Sequence, residues 1–193
     1  MKLKTIDITL AAVFAALMTI GANLTSLLVI GSVPITLQTF FCILAGLILG
    51  SRLGAISMAV YTMIGLAGAP VFAQLSGGLG VTFKPTFGFI LSFILVAYVC
   101  GKMIEAKSSK KMFIVAALVG MVINYGVGTN WMYVAMKLWA AAPEGFTYEM
   151  AWAWMLAPLP KDILLSVCAG LIAPRLYRTL SKSTRSFSNK PAA

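Results

Sequence analysis

The sequence predicts an all-α membrane protein with six transmembrane helices and both termini in the cytoplasm. Of its 193 residues, 60% are hydrophobic and only 10% are charged, and the mean hydropathy is +0.94. Such a composition is typical of integral membrane proteins and far from that of soluble domains. Successive apolar segments can each cross a bilayer, and the basic residues cluster at alternate ends of these segments. We expect one integral membrane domain over residues 1–193, with a helical bundle at about 4–178 and a polar cytoplasmic tail at 179–193.

The first predicted helix begins close to the N-terminus. The opening MKLKTIDITL is basic and then apolar, as a signal peptide is, but no small-residue cleavage site separates it from the next apolar run. We therefore interpret it as a retained first span. Residues 8–51 carry no charge and have room for two spans, divided at GSVP (31–34).

The remaining apolar runs give four more helices. Residues 53–67 form a third span that is short for a crossing, since about 20 apolar residues are needed. Residues 86–101 form a fourth span and residues 112–136 a fifth. The last run extends from about residue 150 to Leu176 and is interrupted by PLPKD.

The distribution of basic residues orients the six helices. Twelve of the fifteen basic residues fall on the side that holds both termini, namely Lys2, Lys4, Arg52, Lys102, Lys107, Lys110, Lys111, Arg175, Arg178, Lys182, Arg185 and Lys190. The other side holds Lys84, Lys137 and Lys161. By the positive-inside rule the termini are cytoplasmic. Because the cations flank apolar spans, the expected partner of the net charge of +10 is anionic lipid, not nucleic acid.

Three charged residues on the predicted outer side border or enter apolar segments: Lys84, Lys161 and Asp162. Ionisable groups near the membrane core are costly to desolvate and usually face a cavity or a partner. The positions of Asp162 and Lys84, taken singly, have simpler explanations. Asp162 would complement the dipole of the last helix, and the Lys84 side chain could extend to the lipid headgroups. Together they indicate a pocket for a small, partly polar molecule.

Two neighbouring segments support a pocket. The run GLAGAPVFAQLSGGLGVTFKP is rich in glycine, which permits a loop to bend and to approach a ligand closely, although a plain outer loop is the alternative. The fifth span contains INYGVGTNWMYVAM, with Tyr125, Asn130 and Trp131 in its central or outer part. For these residues, packing between helices and contact with a ligand are both open. On the first helix, Ala11/Ala15 and Ala12/Ala16 are small pairs four residues apart that favour close helix packing.

Several chemistries are excluded or disfavoured by what the sequence lacks. There is no histidine, so a histidine base or a Ser-His-Asp triad is impossible. Five acidic residues and no G-x-x-x-x-G-K-[ST] motif argue against acid–base catalysis and nucleotide hydrolysis. Cys42, Cys100 and Cys168 are expected to be packing residues, with neither a disulfide nor a metal site. We therefore expect the chain not to be an enzyme.

Four stretches resemble the BioY family, the biotin-binding S components of energy-coupling factor (ECF) transporters. They are VPITLQTFFCILAGLILG (33–50), GGLGVTFKPTFGFILSF (77–93), NYGVGTNWMY (124–133) and PLPKDILLSVCAGLIAPRL (158–176). The resemblance extends over nearly the whole chain. It implies a six-helix S-component bundle in the cell membrane, with a vitamin site on the outer face, biotin as the transported substrate and no cofactor.

The resemblance also implies partners. A coupling membrane subunit and two ABC-type ATPases would supply the energy, and an Ala-x-x-x-Ala on the first helix would contact the coupling subunit. The coupling candidates are therefore Ala11, Ala12, Ala15 and Ala16.

The family's site residues carry over only in part. Its aspartate after Pro-Gly matches Asp162, but Leu165 and Ile90 stand where many members have a lysine and an arginine. Lys84 and Lys161 stand where many members have glycine, and they could replace the missing cations.

Biotin suggests a role for each candidate side chain. Asp162 can accept the ureido N–H groups, and one of the two lysines can meet the ureido carbonyl or the carboxylate. The full set of binding candidates is Asp162, Lys84, Lys161, Tyr125, Trp131, Phe87, Phe89, Gln38, Ser76 and Asn130. Three alternatives stay open at this point: an S component for another vitamin, a membrane enzyme acting on lipid or isoprenoid, and a non-catalytic assembly subunit.

Overall fold

A computed structural model describes residues 4–26, 29–30 and 33–188. Within these ranges the chain forms helices α1 (Thr5–Asn23), α2 (Gln38–Leu66), α3 (Phe87–Ala106), α4 (Lys110–Leu138), α5 (Tyr148–Met155) and α6 (Leu159–Ser188). A short antiparallel ribbon of β1 (Val29–Ile30) and β2 (Val33–Pro34) precedes α2. Two 3-10 turns, Ala73–Leu75 and Leu79–Phe83, lie between α2 and α3. The predicted break at 31–34 lies partly outside the described residues, at 31–32.

Helix α2 is bent back on itself at Gly50. That residue has φ 82° and ψ 177°, a conformation that glycine adopts readily and that interrupts the helix. The Gln38 amide donates to the Tyr61 hydroxyl at 2.9 Å, although 23 residues separate them. In a straight helix they would be about 35 Å apart. Residues 38–49 and 51–66 are therefore two antiparallel arms, which correspond to the second and third predicted spans.

Besides the short helix α5, the described residues form six apolar helical segments when the two arms are counted separately. Five helices, with α2 taken as one, are long and apolar enough to cross a membrane. The arm of residues 51–66 would span about 24 Å, less than the hydrocarbon core, so the third span is short as predicted, and the arm of residues 38–49, at about 18 Å, is shorter still. The prediction of an all-α, six-helix membrane protein is also confirmed.

The last apolar run is interrupted at PLPKD, as the sequence indicates, and Asp162 lies in the first turn of the last helix. The run is divided into α5 and α6 by a turn at Leu156–Pro158, where two prolines lie close together, at 158 and 160. Pro160 lies in the first turn of α6, a position that needs no backbone N–H donor. Helix α6 continues to Ser188, ten residues beyond Arg178.

The alternation of helix directions defines two ends of the bundle. The cavity end holds the start of α3, the end of α4 and the start of α6, and with them Lys84, Lys137 and Lys161. The hairpin end holds Gly50, the end of α3 and the start of α4, with Arg52, Lys102 and Lys110. Lys2 and Lys190 lie outside the described residues, as do the side chains of Lys182 and Arg185. The cytoplasmic position of the hairpin end stays a prediction.

Candidate substrate-binding site

A cavity of about 240 Å³ lies at the cavity end, beside the β ribbon and the loop between α2 and α3. Its walls come from these segments and from α2, α3, α4 and α6. The volume is slightly below the usual range for ligand pockets, which suits a small molecule. The predicted pocket at this end therefore has a counterpart in the structure.

Asp162 is the buried charge on the cavity wall. It lies in the first turn of α6, and only 6% of the residue is exposed. The Tyr125 hydroxyl donates to its Oδ2 at 2.7 Å, and the Lys161 ammonium donates to its Oδ1 at 2.6 Å. A buried carboxylate is tolerated when it is paired and hydrogen-bonded in this way. Each oxygen keeps a further lone pair, so Asp162 can still accept bonds from a ligand.

Lys161 connects α6 to the segment before α2. Its ammonium also donates to the carbonyl oxygen of Thr36 at 2.6 Å, and 28% of its side chain is exposed. The lysine thus compensates the charge of Asp162 and holds the 35–37 segment against the cavity.

Lys84 lies in the turn that leads into α3. Its backbone N–H donates to the Val81 carbonyl at 2.9 Å, and its own carbonyl accepts from the Phe87 N–H at 3.0 Å. The side chain is exposed and lines the cavity. The backbone is therefore fixed while the ammonium stays accessible.

A polar network forms another part of the wall. The Asn124 amide donates to Ser92 Oγ at 2.6 Å, and its oxygen accepts from Thr39 Oγ1 at 3.3 Å. Gln38 donates to Tyr61, whose hydroxyl donates to the Val71 carbonyl at 2.9 Å. These bonds connect α2, α3, α4 and the loop after α2, so they fix the wall of the cavity.

The loop after α2 lines the cavity and is bonded to the end of α1 and to Ser26 beyond it. Gln74 and Leu75 have positive φ values of 60° and 51°, which L-residues seldom adopt. The Gln74 N–H donates to Ser26 Oγ at 3.1 Å, and the Leu75 N–H donates to Asn23 Oδ1 at 2.7 Å. The segment contributes Phe72, Ala73, Gln74 and Ser76 to the cavity lining, whereas none of its glycines is among the lining residues.

Seven of the ten predicted binding residues line the cavity together: Gln38, Ser76, Lys84, Phe89, Tyr125, Lys161 and Asp162. The other three, Phe87, Asn130 and Trp131, lie outside the lining. Trp131 is six residues after Tyr125, which rotates its side chain about 120° around α4. It packs on Phe87, with ring centroids 5.9 Å apart.

Asn130 also points away from the cavity. It is exposed, donates to the Gly126 carbonyl at 2.7 Å and accepts from the Tyr148 hydroxyl at 3.2 Å. Asn130 and Trp131 were predicted from their position in the central or outer part of the fifth span, and Phe87 was predicted to pack around the ring and chain of biotin. The structure assigns them to contacts between helices.

Other lining residues were absent from the predicted set, among them Thr39, Asn124, Ile90 and Phe93. Asn124 could have been predicted from the sequence, since an amide in an uncharged span needs a hydrogen-bond partner. Threonine and the apolar residues could not, because they are equally common in packed spans.

The alanine pairs of α1 are divided by burial. Ala11 and Ala15 are each 6% exposed and face the bundle, where the Ser57 hydroxyl donates to the Ala11 carbonyl at 2.7 Å. Ala12 and Ala16 are exposed. Only the second pair is therefore accessible to another protein.

The sequence of this chain is similar to those of known membrane transporters. The model of the BioY family matches residues 1–182. A protein of Bacillus subtilis (strain 168), named putative biotin transporter BioYB, is 44% identical over 188 residues, which cover 95% of this chain and 93% of the relative. A Thermotoga maritima protein named biotin transporter BioY is 34% identical over 169 residues, which cover 87% of this chain and 94% of the relative. These relatives are named as transporters, in agreement with the prediction that the chain is not an enzyme.

A solved structure gives the same fold. The crystal structure at 2.1 Å of the S-component for biotin from an ECF-type ABC transporter superposes with a TM-score of 0.79. The match covers 92% of this chain and 95% of that one, at 20% sequence identity. The multi-pass helical bundle, the family model and the two relatives lead to one conclusion: the chain belongs to the BioY family.

Proposed function

We propose that this chain binds biotin in the cavity and presents it for uptake, as the S component of an ECF transporter. The observation that carries the proposal is the paired carboxylate of Asp162 on the cavity wall, with two of its lone pairs unused. Family membership supports biotin as the ligand, because the relatives are named as biotin transporters.

The arrangement of the wall matches the chemistry of biotin. Its ureido ring has two N–H donors, which the oxygens of Asp162 can accept. Its thiophane ring and aliphatic chain are apolar, and Phe89, Ile90 and Phe93 provide apolar lining. One of the two lysines would meet the ureido carbonyl or the terminal carboxylate.

Transport requires energy from other subunits. We propose that a coupling membrane subunit and two ABC-type ATPases supply it. The exposed pair Ala12 and Ala16 on α1 is the candidate contact with the coupling subunit, because small residues four apart permit close helix packing. Replacing both by Leu should prevent assembly while biotin binding stays intact, and Val13→Leu, also exposed on α1, is the matched control.

The direct test of the ligand is mass spectrometry of the small molecule that co-purifies with the detergent-extracted chain. Titration of the ligand-free chain with biotin should follow. We expect biotin in the first experiment and one site per chain in the second. Another vitamin in the cavity would refute biotin and keep the S-component function, whereas no ligand at all would favour an assembly subunit.

A further inference from the structure

The charges on the cavity wall do not cancel. Among the described residues that line the cavity, the charged side chains are Lys84, Lys161 and Asp162, with a sum of +1. Lys161 and Asp162 are 2.6 Å apart and compensate each other. The uncompensated charge therefore belongs to Lys84.

Lys161 is already engaged in two strong interactions. Its ammonium donates to Asp162 and to the Thr36 carbonyl. If it moved to a ligand anion, the buried Asp162 would lose its counter-charge, which is costly in an apolar bundle. Its remaining N–H can still meet a neutral carbonyl group without any rearrangement.

Lys84 is positioned but has no ionic partner. Its ammonium makes no hydrogen bond or ion pair within the part of the chain that the structure describes. The turn that carries it is fixed, because the Trp139 indole N–H donates to the Phe83 carbonyl at 2.8 Å. The Lys84 backbone is itself bonded on both sides. A ligand would therefore find this cation ready at little cost in loop ordering.

The polar groups consequently fall into two parts of the site. The buried part around Asp162 is neutral in sum and offers acceptors, which suits an uncharged group with N–H donors. The exposed part around Lys84 has a net positive charge, which suits an anion. We propose that Lys84 recognises the ligand's carboxylate and makes the site selective for a monoanion, while Lys161 serves Asp162. This inference rests on the proposed function and assigns the two lysines within it.

The expected effect is moderate because Lys84 is exposed. It should lie between that of an exposed ion pair and that of a buried charge-assisted hydrogen bond, or about tenfold in affinity. It should also decrease as the salt concentration rises, since water and ions reach this residue.

The test compares biotin with biotin methyl ester, which differs in lacking the negative charge. Affinities of both ligands are measured for the wild-type chain, Lys84→Met and Lys161→Met. Lys137→Met is the matched control, because Lys137 is at the same end and outside the cavity lining. Lys84→Arg should retain the preference for the anion.

We expect the wild-type chain to prefer biotin by about tenfold. Lys84→Met should remove this preference by weakening biotin alone, whereas Lys161→Met should weaken both ligands and keep the ratio. Loss of the preference in Lys161→Met but not in Lys84→Met would overturn the assignment, as would a wild-type chain with no preference. A wild-type chain that binds neither ligand would refute the proposed function itself.

Discussion

Each end of the bundle fixes a carboxylate with a hydroxyl group and a lysine, but only the carboxylate at the cavity end is among the described residues that line the cavity of about 240 Å³. At the cavity end, Asp162 is bonded by Tyr125 and Lys161. At the hairpin end, Glu105 accepts from the Ser51 N–H and hydroxyl, both at 2.8 Å, and lies 3.4 Å from Lys102. The side chain of Asp162 is 8% exposed, whereas that of Glu105 is 45% exposed.

The two carboxylates differ in their surroundings more than in their partners. Glu105 accepts from the Ser51 N–H where the second arm of α2 begins, and the backbones there are in direct contact, because a Cβ on Gly101 would clash with the Ser51 nitrogen. Asp162 faces about 240 Å³ of space instead. A paired charge thus stabilises packing at one end and can serve binding at the other. The cavity beside the Asp162–Lys161 pair is what makes a role in binding possible there.

The largest expected effect is on ligand binding at the cavity end. Asp162→Asn replaces one of two acceptor oxygens with a donor, so biotin should bind about ten- to a hundred-fold more weakly, or about 1.5–3 kcal/mol. Calorimetric titration of the purified chain measures the change. The control is Glu149→Gln on the exposed face of α5. Wild-type affinity in Asp162→Asn would remove Asp162 from the site.

The next effect is on stability at the hairpin end. Gly101→Ala places a methyl group against the Ser51 backbone, and we expect destabilisation by about 2 kcal/mol with a lower melting temperature in detergent. In Gly126→Ala, the matched control, nothing lies within 4 Å of the new carbon. Equal melting temperatures for the two variants would show that the hairpin end is less tightly packed than we infer.

A smaller effect should follow from loss of the phenol that holds Asp162. Tyr125→Phe removes one hydrogen bond and keeps the ring, so biotin binding should weaken by about fivefold, or about 1 kcal/mol. Equilibrium binding of labelled biotin is sufficient to measure it. Tyr133→Phe, whose ring packs on Tyr148 outside the cavity, serves as the control. If both variants bind equally well, Tyr125 only fills space.

The smallest effect should come from Glu105→Gln. Because this side chain is largely exposed, its loss of charge should cost less than about 1 kcal/mol in stability and leave biotin affinity unchanged. Thermal unfolding and titration of the same preparation test both statements, with Glu144→Gln as the control. A change in affinity would mean that the two ends are coupled, contrary to their separate roles.

Most of the bundle could be predicted because membrane spans are long apolar runs. Arg52, a charge between two such runs, marked the reversal that the structure has at Gly50. The separate helix α5 was missed, since its composition continues that of α6. The β ribbon and the 3-10 turns were also missed, because they depend on contacts with α1 and with each other.

The candidate site was predictable where charge was involved. In a chain with so few ionised groups, Lys84, Lys161 and Asp162 stood out from the sequence alone. Phe87 and Trp131 were assigned to the pocket but lie outside its lining. The rotation of a helix about its axis is set by its neighbours, and the sequence does not give that rotation. Phe87 and Phe89 are two residues apart on α3, about 160° apart around it, so only one could face the cavity. The roles of Thr39 and Ser92 in the cavity wall could be recognised only from their hydrogen bonds to Asn124 in the structure.

The structure of the chain with biotin bound would test the central claim most directly. Our account predicts the ureido ring in the cavity, with its N–H groups about 3 Å from the Asp162 oxygens, and the carboxylate beside Lys84. Biotin at another position, with the cavity empty and Asp162 bonded only to Tyr125 and Lys161, would contradict it.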